Sequence, residues 1–397
     1  MGLNESQPML WVIVEAPTKA ASISVFSRER ANCDAHKRSD TASKTPRGSY
    51  HGCWYVEQLL GEASSRPADC GSPVKPPLWY DKAKLKRGQS VFHHYFLSVF
   101  VSNLVGLLCL LSVHSILKVL TFTGRSSTPV ASYKRYLGTL NHVRRWYSGD
   151  VFDPQSSAFK SIQLVRRMHT SSFSDSQTAG VLLASQTDMV VTQWAFFGLA
   201  LTHGQQLGLR CTRNEEESLV HFWRCIGYLL GIEDRYNLAS GELEEVRAKC
   251  NAVAEKVIAE GLINPPDHFG AMAESMLQGV HMIVPVVDPA ATIAFTHHLL
   301  ALGHDTQKLS WYSTIFLYLN IWNLGVVRHI PIIGEVLRLI ENGLLNFALI
   351  VCNSLPTIAL YYRYLETTVY HVLMTIIAIP KTALHSFTFF MNRKKIV

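Results

Sequence analysis

The sequence has little charge and few of the motifs that announce soluble catalysis. Only 17% of its 397 residues are Asp, Glu, Lys or Arg. No Gly-rich phosphate loop occurs, which removes the nucleotide-loop classes. Gly-x-Ser-x-Gly is absent, so an α/β-hydrolase nucleophile elbow is missing. No Glu-x-x-His occurs, and a ferritin-like di-iron site needs it twice. The eight cysteines include no Cys-x-x-Cys pair. Several stand in apolar helical text, which argues for reduced core thiols rather than a zinc site or a disulfide framework. No basic stripe with interleaved aromatics accompanies the net charge of +7, so nucleic acid is not an expected partner. No run of alternating strands appears. Residues 1–30 carry no long apolar core of the secretory-signal type, since Glu5 and Glu15 interrupt them.

What is present is apolar and helical. The chain is 48% hydrophobic, with a mean hydropathy of +0.11. That is high for a soluble protein and low for a many-span transporter. Apolar residues recur at helical spacing, as at Phe159, Ile162, Val165 and Met168, and the expected class is all-α. Residues 1–75 are rich in Ser, Ala, Arg and Gly and are expected to be disordered. Met1-Gly2-Leu3-Asn4-Glu5-Ser6 matches the N-myristoylation pattern. Pro76-Pro77-Leu78-Trp79-Tyr80-Asp81 marks the expected start of a multi-helix domain over 76–341. Within it, 97–117 carries no Asp, Glu, Lys or Arg. That run reads either as a bilayer span or as a buried helix pair broken near Gly106.

Residues 342–390 read as a membrane hairpin, with Asn342-Gly343 placed between helical runs and Pro380 as a kink. A basic tail, 391–397, contains Arg393-Lys394-Lys395. Its two lysines match the di-lysine signal that returns membrane proteins to the endoplasmic reticulum. The expected location is therefore that membrane.

Several residues are candidates for chemistry. Arg135 and Thr139 lie four apart, and His142 follows Thr139 by three, so one helix face presents all three. That face either lines a polar pocket or belongs to an interface helix. His169 shares an apolar face with Ile162 and Val165. Such a His is commonly a satisfied core residue, yet a neutral imidazole in an apolar cavity is also what haem iron needs on its proximal side. Glu217 and His221, four apart, have a metal-chelating spacing. His221 and Arg224 are expected instead to organise helix contacts, and Glu233–Asn237 a hydrogen-bonded turn.

Arg135-x-x-x-Thr139, followed thirty residues later by His169, resembles the haem-binding core of the ER-bound oxygenase MpaB and latex-clearing rubber oxygenase family. Further stretches resemble animal MpaB-like members. They are Leu78–Gln89, Gly106–Thr123, Ser126–Tyr147, Gln186–Phe197 and, most specifically, His221–Asn237. Their order and spacing together cover roughly residues 76–345.

The resemblance implies a single catalytic domain with globin-like packing around its cofactor. His169 is then the proximal ligand of haem b, with Arg135 and Thr139 on the pocket side as cofactor-binding and catalytic residues. Dioxygen is the implied co-substrate, and an alkene in a lipid or isoprenoid chain the implied substrate. Two positions depart from the family pattern. The rubber oxygenases carry Lys immediately before the Thr, where this chain has Gly138. They carry Arg four residues after the His, where this chain has Phe173. The departures leave room for a second reading, a catalytically silent membrane protein that keeps the fold for lipid binding or scaffolding. His142 is a candidate distal group or sixth ligand.

Overall fold

A computed structural model describes residues 47–178, 184–303 and 308–355. The myristoylation pattern, Pro380, the distal part of the expected hairpin and the basic tail lie outside them. The described residues form helices and turns, and a lone bridge between Pro67 and Ser185 is their one β contact. The all-α expectation holds.

The first helix is α1, Arg47–Leu60. This overturns the expected disorder for part of 1–75. Tyr55, Val56 and Leu59 are buried; each stabilises the fold by about 2 kcal/mol. The Tyr55 hydroxyl donates to the Tyr236 carbonyl at 2.5 Å. Asp69 grips Arg166 with both carboxylate oxygens, and Arg166 also donates to the Ser72 and Leu229 carbonyls. This half-buried pair pins a Ser- and Pro-rich segment that has no helical pattern of its own.

Next come α2, Lys82–His94, and α3, Phe96–Leu110. Asp81 caps α2 by accepting from the backbone of Ala83 and Lys84. The two helices meet at 91°. A short helix, α4, spans His114–Thr123. The uncharged run 97–117 is therefore not one span. It breaks at Leu111–Val113 rather than near Gly106, and most of α3 is buried inside the protein. No described helix is by itself long and apolar enough to cross a membrane.

Gly106 has a different job. A Cβ there would sit 2.0 Å from the Ala195 carbonyl oxygen. Ala195 belongs to α7, Gln186–Thr202, the central helix of the fold. The missing side chain lets α3 and α7 pack backbone to backbone. Nearly all of α7 is buried, including Trp194 and Phe197. Its start is fixed by a capping box between Ser185 and Asp188.

Around this centre lie α5, Pro129–Ser148, and α6, Ser157–Thr178. They are joined by α8, Arg213–Leu229, and α9, Leu243–Val253. Thr212 caps α8, with Glu215 completing its capping box. α9 runs on through a π-helical turn, Ala254–Ala259, to Ile263. α10, Phe269–His281, packs on α5, and α11, Pro289–Leu299, packs on α12, Trp311–Gly325. The last described helix is α13, Ile333–Ser354. It runs straight through Asn342-Gly343, so the expected boundary at 341/342 falls in mid-helix. Among the described residues the cysteines are free thiols, four of them buried, as their apolar surroundings suggested.

Candidate functional site

The candidate residues sit on α5 and α6, which pack against each other. Thr128 caps α5 by accepting from the Ala131 backbone at 3.2 Å, and Pro129 opens its first turn. Tyr136, Leu137, Leu140 and Val143 bury its apolar stripe. α6 begins where the Ser156 hydroxyl accepts from the Ala158 backbone at 3.1 Å. It buries Ile162 and Val165, while Met168 is half-buried.

His169 sits three turns into α6. Part of the residue reaches the surface, but its Nδ1 is sealed from solvent. Burial pushes its pKa down from 6.5 to about 4, and the positive charge of Arg135 pushes it in the same direction. The fold therefore brings Arg135 on α5 within electrostatic reach of His169 on α6. An imidazolium here would lose hydration and face a like charge, so His169 is neutral at physiological pH.

Thr139 is half-buried beside Arg135. Its hydroxyl donates back to the Arg135 carbonyl at 3.1 Å, a bond internal to the helix that leaves its oxygen lone pairs available. Gly138 comes just before it, half-buried as well. A Cβ placed on Gly138 would meet no atom within 4 Å.

The structure assigns His142 a different partner. Its Nδ1 lies 2.8 Å from the Ser161 hydroxyl, which also accepts from Trp146 Nε1 at 3.0 Å. This bond ties His142 on α5 to Ser161 on α6.

His221 is also structural, as expected. Its Nε2 accepts from the Asp81 backbone at 3.0 Å. Arg224 forks onto Asp234 at 3.0 and 2.7 Å and stacks on Trp79 at 4.1 Å. Glu217 pairs with Arg213 and Lys84 rather than a metal. These groups line a cleft of about 280 Å³ that does not include His169. The Glu233–Asn237 segment is the expected turn, closed by the backbone of Tyr236 and Asn237 onto Glu233. Among the described residues, no three His, Cys, Asp or Glu side chains converge as a metal site. A single imidazole such as His169 is a different kind of donor set, one that would suit a metal already held by a cofactor.

Sequence reasoning missed a buried polar network centred on α7. Gln193 on α7 donates to the Trp223 carbonyl and to Asn237 at 2.8 and 2.9 Å. Gln186 donates to the Pro67, Ala68 and Gly231 carbonyls. Each glutamine stands alone in apolar text, and only an unpaired buried amide being intolerable hinted at a partner.

With this geometry in hand, comparison with known proteins is informative. The model of the family described as ER-bound oxygenase mpaB/B'/Rubber oxygenase, catalytic domain, matches residues 91–303. Among solved structures, latex clearing protein in its closed state matches with a TM-score of 0.44 and 19% identity, over 84% of this chain and 88% of that one. No curated protein sequence matches. The family match covers more than half of the 397 residues and includes Arg135, Thr139 and His169; the chain belongs to the ER-bound oxygenase and rubber oxygenase catalytic-domain family.

Proposed function

We propose that this protein is a haem-dependent oxygenase that oxidises or cleaves an alkene in a lipid or isoprenoid chain, at the endoplasmic reticulum membrane. The observation that carries the reading is His169, held neutral by burial beside Arg135 in a chain of an oxygenase family. The donor set fits a b-type haem. His169 offers a nitrogen lone pair without first losing a proton. Open space at Gly138 adjoins the same helix face. When bound, the haem supplies the iron chemistry that activates dioxygen.

The protein's own groups set the conditions around that chemistry. Arg135 keeps a positive charge near the imidazole and disfavours its protonation. The Thr139 oxygen accepts a hydrogen bond from whatever polar atom enters the recess. The apolar residues on both helices, Leu137, Leu140 and Val165, keep bulk water out.

A second reading is favoured by one observation. No side chain reaches into the space at Gly138, so the amine that rubber oxygenases place there is missing. A catalytically silent protein that keeps the fold for lipid binding or scaffolding would look the same at this position.

An absorption spectrum of the full chain, reconstituted with haem in detergent, tests the cofactor. A Soret band is expected in the parent and in His221→Ala, and none in His169→Ala. A band that persists in His169→Ala, or never forms in the parent, overturns the assignment.

A further inference from the structure

We propose that α12 and α13 form a monotopic docking surface that lies in the plane of one leaflet of a lipid bilayer, apolar faces inserted. The proposal builds on the membrane association proposed above and not on the haem. Both helices lie beyond residue 303, where the family match ends.

The case rests on an inside-out helix. In α13 Arg338, Glu341 and Asn342 face the protein, while Glu335 is exposed and pairs with Arg338. Arg338 donates to the His94 carbonyl at 2.7 Å, and Asn342 does so at 2.9 Å. The Asn342 carbonyl oxygen accepts from the Leu97 backbone at 2.9 Å. Glu341 pairs with Arg328 and accepts from Asn323. The outward face is apolar instead: Val336, Leu339, Ile340, Leu344, Phe347 and Ile350 are all more than half exposed. They recur at helical spacing. In water this polarity is reversed from that of a surface helix.

α12 continues the same face. It contains no Asp, Glu, Lys or Arg, and it exposes Trp311 at 77% and Trp322 at 58%, with Tyr318 and Leu319 between them. Between Leu309 and Tyr362 the charged residues are Arg328, Glu335, Arg338 and Glu341. They pair with one another, Arg328 with Glu341 and Arg338 with Glu335.

Hydrocarbon is the occupant this chemistry fits. Protein interfaces carry roughly one hydrogen bond per 100–200 Å², and this face offers almost no polar atom to match. Tryptophan and tyrosine rings suit the headgroup boundary. The chain then continues from Leu355 into the apolar run 367–380 and ends near Arg393-Lys394-Lys395. That basic cluster complements anionic lipid.

α13 also contacts the side of α5 that faces away from the candidate residues. Asn353 of α13 accepts from Asn141 at 2.6 Å, Asn346 accepts from Arg144 at 2.9 Å, and the Cys352 carbonyl accepts from Tyr133 at 3.4 Å. Tyr133, Asn141 and Arg144 share one face of α5, and Arg135 and Thr139 lie on the opposite one. A long apolar substrate in the leaflet would meet the protein one helix away from His169.

Flotation of the full chain with vesicles of phosphatidylcholine and a minor share of phosphatidylserine tests this. The parent is expected to float. The triple variant Leu339→Glu, Leu344→Glu, Phe347→Glu, all at exposed positions, is expected to partition roughly tenfold or more weakly. A control with Leu78→Glu, Ile263→Glu and Val286→Glu, exposed elsewhere, is expected to float like the parent. Equal flotation of parent and triple variant overturns the proposal, because the face is then covered by residues 356–397. A parent that stays in solution, with an oligomer the triple variant dissolves, overturns it in favour of a second copy. Quenching of the parent's tryptophans by brominated lipid, reduced in Trp311→Phe, Trp322→Phe, gives a readout that needs no charged variant; absence of quenching overturns the proposal. None of these outcomes alters the haem spectrum of the His169 variants.

Discussion

A Gly106→Val chain is expected to lose more than about 3 kcal/mol of stability, or to fail to fold. The Cβ would lie 2.0 Å from the Ala195 carbonyl oxygen, and the obstacle is backbone, not a flexible side chain. Relief requires α3 and α7 to move apart. That would open the packing around Val105, Leu108, Val191 and Leu199, all essentially inaccessible. Core packing is close to crystalline density, and such a displacement has nowhere to go. Gly138→Ala serves as the contrast, since its Cβ meets nothing within 4 Å. Denaturant unfolding followed by helical circular dichroism separates the two. A Gly106→Val midpoint within error of the parent would show that the helices do not approach as described.

The second large effect is acid sensitivity from one histidine. The unfolded chain protonates His169 near 6.5, whereas the folded, haem-free chain does so only near 4. Between those values the unfolded state binds more protons, so stability rises with pH. The contribution of His169 is whole above 6.5, falls as the pH drops toward 4, and then levels off. The full loss is on the order of 3 kcal/mol. Burial lowers the pKa of His142, His203 and His221 in the same direction, so the parent has several sources of acid lability. Unfolding of the parent and of His169→Phe at neutral pH and near pH 4.5 isolates the one group. The parent is expected to lose more stability than the variant over this interval. Equal losses would mean that the ring is more hydrated than its sealed Nδ1 implies.

The helices were legible because their apolar periodicity is strong. The spacing at Ile162 and Val165 gave the buried face of α6, and the absence of alternating strands gave the class. The residues at Arg135 and Thr139 were legible as one face of α5. That Arg135 lies within electrostatic reach of His169 was implied by the family resemblance and not by the residue pattern, because it depends on how α5 and α6 pack.

Order in 47–75 was invisible for a physical reason. Its composition is polar, and its anchor, Asp69 on Arg166, joins residues 97 apart in sequence. The break between α3 and α4 was hidden by uniform hydropathy, which marks burial or lipid but not direction. α13 misled in a different way. Its apolar face points outward while Arg338, Glu341 and Asn342 point in, so a boundary drawn from polarity at Asn342 cut a continuous helix. Phe173, the other departure from the family pattern, has a side chain outside the described residues.

The central claim is that the haem-loaded chain consumes dioxygen against an alkene chain held in lipid. Oxygen uptake with a polyisoprenoid in detergent or vesicles, followed by carbonyl analysis of the products, measures it directly. The expected result is uptake matched by carbonyl products for the haem-loaded parent and none for His169→Ala. Haem-loaded parent that takes up no oxygen and leaves the alkene intact would contradict the claim and leave a protein that keeps the fold without the reaction.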